Sequence, residues 1–214
     1  MRNFRTEGII IKRRNFNEAD RIITVMTRDY GKIQIKAAGV RKITSRRAAH
    51  IELLNDALLH LYQGNIFPIL TEAKMIDDFV SIKTDFAKVG LAYHLCELID
   101  GLCPENQENS SVFFLLQKTL RQLARQDLSY MPRFAVKEID EYTLGTFGLG
   151  ASDPSEAELA RGDAILQDFE ITLLSELGYW NKKDAVVRHL DTSDMIEDIL
   201  ERKLKSRSIF AKLQ

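Results

Sequence analysis

Two periodicities divide this chain. Over the first eighty residues apolar and polar positions tend to alternate, most clearly where Ile33 and Ile35 are interleaved with Lys32, Gln34 and Lys36. A period of two predicts a strand over 32–38 with one apolar face turned inward and one cationic face in solvent. The β-branched runs at 6–13 and 21–27 predict two preceding strands of a meander, and Arg28-Asp29-Tyr30-Gly31 places Gly where a hairpin wants positive φ. Two more strands are predicted at 53–62 and 70–79, separated by a loop that contains Gly64 and Pro68. Between the third and fourth strands lies VRKITSRR, residues 40–47, with four basic residues in eight, expected as an exposed arm. Five short strands suggest a small Greek-key barrel of the OB type, whose loops between strands one and two and between four and five commonly hold oligonucleotides. An SH3-like barrel has a similar strand count, and periodicity does not separate the two.

From Ser81 the spacing becomes helical. A helix over 82–102 is predicted with Phe86, Val89, Tyr93, Cys96 and Ile99 along one stripe, ending before Pro104. Residues 111–125 place Val112, Phe113, Leu116, Leu120 and Leu123 on an inward face. Pro132 suits the first turn of a helix that runs to the glycines at 145–150. Ser155 and Glu158 form a capping box for a helix that ends at Leu177-Gly178, and a last helix is predicted over 193–212. The expected fold class is therefore α+β: an N-terminal five-stranded OB-fold barrel, residues 1–80, followed by an all-helical C-terminal domain, residues 81–214.

Charge changes this picture more than composition does. Residues 1–50 hold thirteen Lys or Arg against four Asp or Glu, a net +9; the whole chain is at -1, so residues 51–214 carry -10. A basic end built from strands points to a polyanion. With 214 residues and 45% hydrophobic content a sizeable core is available. The apolar run at 8–11 is too short for a signal-peptide core, and no window approaches the roughly 18 apolar residues of a membrane span. A cytoplasmic protein without membrane association is expected. Cys96 and Cys103, seven apart on one predicted helix and thus about 10 Å apart along its axis, are beyond disulfide reach. The four histidines are scattered, and neither a metal nor another cofactor is expected.

The phosphate-contact candidates are Arg13, Arg14, Lys32, Lys36, Arg41, Lys42, Arg46 and Arg47. Five such contacts to a single strand would give log affinity a slope of about -3.5 against log salt. Phe16, Tyr30 and Phe67 fall in predicted turns, and Phe16, flanked by Arg14, Asn15 and Asn17, is the candidate for stacking on a base. Glu18 and Asp20 lack a third polar partner, so they are read as pairing with Arg21 and nearby cations to fix a loop. No nucleophile and base stand together, and no catalytic residue is expected. Lys118, Arg121 and Arg125 recur at helical spacing beside the apolar stripe of 112–123, and Arg202, Lys205 and Arg207 form a second basic surface near the C-terminus.

The opening EGIIIKRRNFNEADRIITVMTRDYGKIQIKAAGVRKITSRR resembles the bacterial recombinational repair family RecO. It carries Glu18, Asp20, Arg21, then Thr27, Arg28, Gly31, Lys32, then Ala38, Gly39, Val40, Arg41 and Ser45 at that family's spacing. Residues 169–179 are similar to the family's later helix motif and 204–207 to its C-terminal ending. Many members carry four zinc-binding cysteines after the Leu-Gly-Tyr element; this chain continues Trp180-Asn181-Lys182-Lys183, so the form is one without them. The segment 127–168 is left outside the resemblance. The resemblance implies binding of single- and double-stranded DNA, strand annealing, and work with RecR and sometimes RecF in replacing single-stranded-DNA-binding protein (SSB) with RecA recombinase. It further implies capture of the acidic, apolar SSB tail, for which the two helical basic surfaces are the candidates. A nucleoid-associated, non-enzymatic recombination mediator is the expected function. The rivals are an adaptor that binds acidic protein tails and an RNA-binding OB protein.

Overall fold

The structure, a computed structural model, describes residues 3–126, 156–179 and 192–205. It divides into two compact units, residues 1–80 with 98–121 and residues 81–97 with 122–214. The helix expected from Pro132 to the glycine run, the cap at Ser155, and Arg207 lie outside the described residues.

In the first unit five strands, β1 (Asn3–Phe16), β2 (Asp20–Thr27), β3 (Gly31–Ala37), β4 (Asp56–Tyr62) and β5 (Ile69–Asp77), close into a barrel in the order β1-β2-β3-β5-β4. β5 returns parallel to β3, meeting it at Lys36 and Ile69, while every other pair is antiparallel. This Greek-key closure is the OB arrangement and resolves the choice that periodicity left open. The interior is filled by alternate residues, including Ile10, Ile23, Val25, Ile33, Ile35, Ala57, Leu59 and Leu61. A short 3-10 turn, Ala49–Ile51, adds Ile51 to that core.

The opposite face of β3 is not in solvent. Lys32 is only 5% exposed and its Nζ donates to the Asp100 carbonyl, while Gln34 Nε2 donates to Glu105 Oε1 at 2.6 Å. Asn106 N–H donates to the Lys32 carbonyl at 2.8 Å, closing the part of β3 that does not reach β5. Local alternation marks which side of a strand faces the barrel; it carries no information on what covers the other side.

The helices are α1 (Val80–Lys83), α2 (Phe86–Leu102), α3 (Ser110–Arg125), α4 (Glu156–Glu176) and α5 (Thr192–Leu200). The single helix expected over 82–102 is broken before Phe86, where Asp85 Oδ1 accepts from Lys88 N–H at 3.2 Å as a cap. Cys96 and Ile99 of the expected stripe are buried, but so are Leu91, Leu95, Leu98 and Leu102 beside it, and Tyr93 is 40% exposed, so the helix is buried over a wider face than the expected stripe. α3 buries all five of its expected residues, and Asn109 Oδ1 caps it by accepting from Val112 N–H at 3.1 Å. α4 ends as expected at Gly178, whose φ of +81° is the left-handed stop. The last helix is shorter than expected: it stops at Leu200, where Glu201 turns to φ +51°. In the second unit Leu166, Phe169, Leu173 and Ile196 are buried around a polar cluster in which Glu170 accepts from Thr192 and meets His94 Nε2 at 3.0 Å. Spacing gave no hint of that cluster, because its members lie on three separate helices.

Candidate nucleic-acid interface

The basic residues of the barrel end owe their positions to one irregularity. β1 pairs with β2 in register through Ile10 and Val25, then a bulge at Ile11 shifts the pairing so that Arg13 faces Ile23 and Asn15 faces Arg21. Ile23 points into the barrel, so the bulge brings Arg13, Asn15 and Arg21 to the inner side at the barrel end. Arg14, opposite Ile22, falls on the outside. Without the extra residue these parities would be exchanged.

Two connections meet beside this end. The β1–β2 turn is only Asn17-Glu18-Ala19, much shorter than the loop expected, because β1 extends to Phe16. The long connection is β3–β4, and its basic stretch is exposed as expected, as a chain of turns pinned at intervals. Asp20 Oδ1 accepts from Gly39 N–H at 2.8 Å, and its other oxygen meets Lys36 Nζ at 3.1 Å. The Gly39 bond foremost, and then Lys36, hold the Asp20 carboxyl below the usual carboxylate range. Arg41 N–H donates to the Ala19 carbonyl at 2.9 Å, and Arg41 Nη1 donates to the Asn17 and Glu18 carbonyls at 3.3 and 3.0 Å. Asp20 therefore pairs with Lys36, and Arg21 pairs elsewhere, with Glu52.

The eight expected phosphate contacts separate into three groups. Arg14, Arg41, Lys42 and Arg46 are exposed, Arg14 holding only a 3.4 Å bond to Gln34. Arg13 and Lys36 are half-buried and ion-paired, with Glu52 and Asp20. Lys32 and Arg47 serve the fold. Burial pushes the Lys32 ammonium pKa down, and Arg47 donates to the Leu70 and Ala38 carbonyls at 2.5 and 2.8 Å, tying the loop to β5. Phe16 is half-buried with Lys36 Nζ 5.6 Å from its ring centroid, so one ring face is occupied by a cation. Tyr30 packs edge-on against Phe4 at 4.9 Å. Ile43, in the middle of the basic loop, is fully exposed; no periodicity marks it, and only its cationic neighbours in sequence could have drawn notice.

On α3, Lys118, Arg121 and Arg125 are exposed, as are Arg202 and Lys205 beyond the end of α5. The stripe of Leu116, Leu120 and Leu123 beside the first three is 0–1% exposed, so it is core and leaves no apolar groove. The apolar surface is instead Phe114, 47% exposed, with the Arg28 guanidinium 5.4 Å from its ring centroid. Phe114 precedes Lys118 by four residues and Arg121 by seven, a spacing that sequence reading could have used. Among the described residues no group of His, Cys, Asp and Glu is placed to hold a metal, and no helix is long and apolar enough to cross a membrane. The Cys103 thiol, just past the end of α2, is pushed up to about 11 by burial.

Comparison with known proteins is concordant over most of the described chain. A family model described as "Recombination protein O N terminal" matches residues 1–79, and "Recombination protein O C terminal" matches residues 83–140. The chain is similar to "DNA repair protein RecO" of Roseiflexus sp. strain RS-1, 42% identical over 57% of this chain and 43% of that protein. It is also similar to the protein of the same name from Dehalococcoides mccartyi strain BAV1, 33% identical over 68% of this chain and 56% of that one. The Listeria welshimeri protein so named is 32% identical over 67% and 55%. The chain thus spans about half the length of the curated relatives it matches.

Proposed function

Because the chain belongs to the RecO family of DNA repair proteins, we propose that it is a non-enzymatic mediator of recombinational repair whose barrel binds DNA. On this reading it binds single and double strands, anneals complementary strands, and assists RecA loading on SSB-coated DNA together with RecR, with RecF as a further partner, in the cytoplasm at the nucleoid. The observation that carries the reading is the set of exposed cations, Arg14, Arg41, Lys42 and Arg46, on an OB barrel, next to a turn and a loop that hydrogen bonds hold in one conformation. Contacts to phosphates release condensed counterions, so binding is electrostatic and indifferent to sequence. Annealing follows from screening the repulsion between two strands on one cationic surface. Four contacts, not the five suggested by counting candidates, give a salt slope of about -2.8 for a single strand.

The test is a salt titration of oligo-dT affinity. The triple variant Arg14→Ala, Lys42→Ala, Arg46→Ala is expected to bind more weakly and to flatten the slope by about 2. Affinity immeasurable at about 50 mM salt, or a triple variant with unchanged slope, refutes the reading.

Phe114 supports a second role, as receptor for the acidic, apolar tail of SSB. It offers an exposed ring with Arg28 beside it and Lys118 and Arg121 on the same side of α3 by spacing. This favours α3 over Arg202 and Lys205 as the tail site. Loss of tail-peptide binding in Phe114→Ala with oligonucleotide affinity retained is the expected separation; an undiminished peptide affinity excludes the site.

A further inference from the structure

Resting on the DNA-binding reading above, we infer that Arg13 and Arg21 form a phosphate seat at the end of the barrel, which Glu52 occupies until a nucleic-acid strand displaces it. A cavity of about 210 Å³ opens there, lined by Arg13, Asn15, Arg21 and Leu53. It is smaller than the roughly 300–1,000 Å³ that encloses a whole small molecule. The lining is two guanidinium groups and a carboxamide over one apolar side chain, which suits a single oxyanion and no larger apolar body. Strand register imposes the arrangement: the bulge at Ile11 turns Arg13 and Asn15 to the same side as Arg21, directly across from Asn15.

Glu52 already acts as the anion. Its carboxylate pairs with Arg13 Nη1 through Oε2 and with Arg21 Nη1 through Oε1 at 3.4 Å. Glu52 meets each arginine through Nη1 alone, so the remaining guanidinium N–H groups take no part in the pair. The Glu52 side chain is 44% exposed against 26% for each arginine, so the carboxylate is the member free to swing out while the arginines stay in the strands. A phosphate is doubly suited to replace it: its tetrahedral oxygens can reach donors that a planar carboxylate leaves unused, and it arrives linked to further phosphates that engage Arg14 and the loop cations. Displacement of a partly exposed ion pair costs at most about 1 kcal/mol by itself, a fivefold factor in affinity.

The experiment compares oligo-dT binding by the full chain with Glu52→Gln, Glu18→Gln and Arg21→Gln variants over a range of salt, with thermal midpoints recorded alongside. Glu18→Gln removes the same charge from an exposed position of the neighbouring turn without touching the seat. Glu52→Gln is expected to tighten binding by up to about fivefold and to steepen the salt slope, with Glu18→Gln giving a clearly smaller gain. Arg21→Gln is expected to weaken binding and flatten the slope by about 0.7, and to abolish the gain when combined with Glu52→Gln. Equal effects of Glu52→Gln and Glu18→Gln, or a gain that survives Arg21→Gln, overturn the seat while leaving the barrel a DNA binder. Should Glu52→Gln fail to fold, Arg21→Gln decides alone. A wild-type chain that binds no strand removes the broader reading as well, and a Glu52→Gln gain confined to an acidic peptide assigns the cavity to a protein carboxylate and overturns the nucleic-acid assignment.

Discussion

Replacement of Asp56 by Asn should make this protein more stable at neutral pH, against the usual expectation for a buried polar residue. Asp56 begins β4 and is 0% exposed. Its Oδ2 accepts from Gln117 Nε2 at 2.7 Å, while Oδ1 has no hydrogen-bond partner among the described residues. The same Gln117 amide bonds Glu7 at 3.0 Å, which brings a second carboxylate close by. Burial foremost, opposed by the Gln117 bond and reinforced by Glu7, pushes the Asp56 carboxyl up to about 6 from 3.8. Since the folded pKa lies above the unfolded one, the folded state holds the proton more tightly. Stability from this group is fully present below pH 4 and falls as pH rises from 4 to 6, remaining low above that. The rise from 3.8 to about 6 corresponds to about 3 kcal/mol lost at pH 7.5. Asn keeps the shape and an acceptor for Gln117, and an imperfect amide bond returns about 1 kcal/mol of the gain. A net stabilisation of about 2 kcal/mol, or some 4–8 °C in Tm for a chain of this size, is the expected result at pH 7.5. The assay is thermal unfolding of wild type and Asp56→Asn from pH 4 to 7.5, read as the difference between them so that other groups cancel. The difference should be small or reversed at pH 4 and grow through pH 6. Parallel profiles, or a variant less stable at pH 7.5, would refute the reasoning.

Two further outcomes separate cations used by the fold from cations left for a ligand. Lys32→Met should leave the salt slope of oligonucleotide binding unchanged, because the ammonium is buried against the Asp100 carbonyl; a flattened slope would show that it reaches phosphate. Arg47→Ala should lower stability by about 1.5–3 kcal/mol in urea unfolding, since two carbonyls lose a charged donor, and an unchanged midpoint would remove its assigned role. At the first residue of β3, Gly31 has φ +65° and an added Cβ would lie 1.7 Å from the Gln107 carbonyl oxygen. Gly31→Ala is therefore expected to cost more than about 2 kcal/mol, and a variant as stable as wild type would mean that residues 103–107 do not pack there.

The local code of this chain was legible in sequence and the long-range one was not. Alternation marked the inner face of β3 through Ile33 and Ile35, helical spacing marked the buried stripe of α3, Gly178 marked the end of α4, and the excess of Lys and Arg marked the barrel as the basic end of the chain. Each depends on a residue and neighbours within a turn or two, where side-chain direction follows backbone period. Which cations remain free depends on partners far along the chain. Glu52 takes Arg13 and Arg21, Asp100 takes Lys32, and Leu70 takes Arg47. Barrel closure and strand register brought those groups together, and a single bulged residue at Ile11 decided which side of β1 carries Arg13 and which carries Arg14. A shift of one residue exchanges two faces of a strand but leaves composition and periodicity almost untouched, so only the folded barrel could assign these arginines.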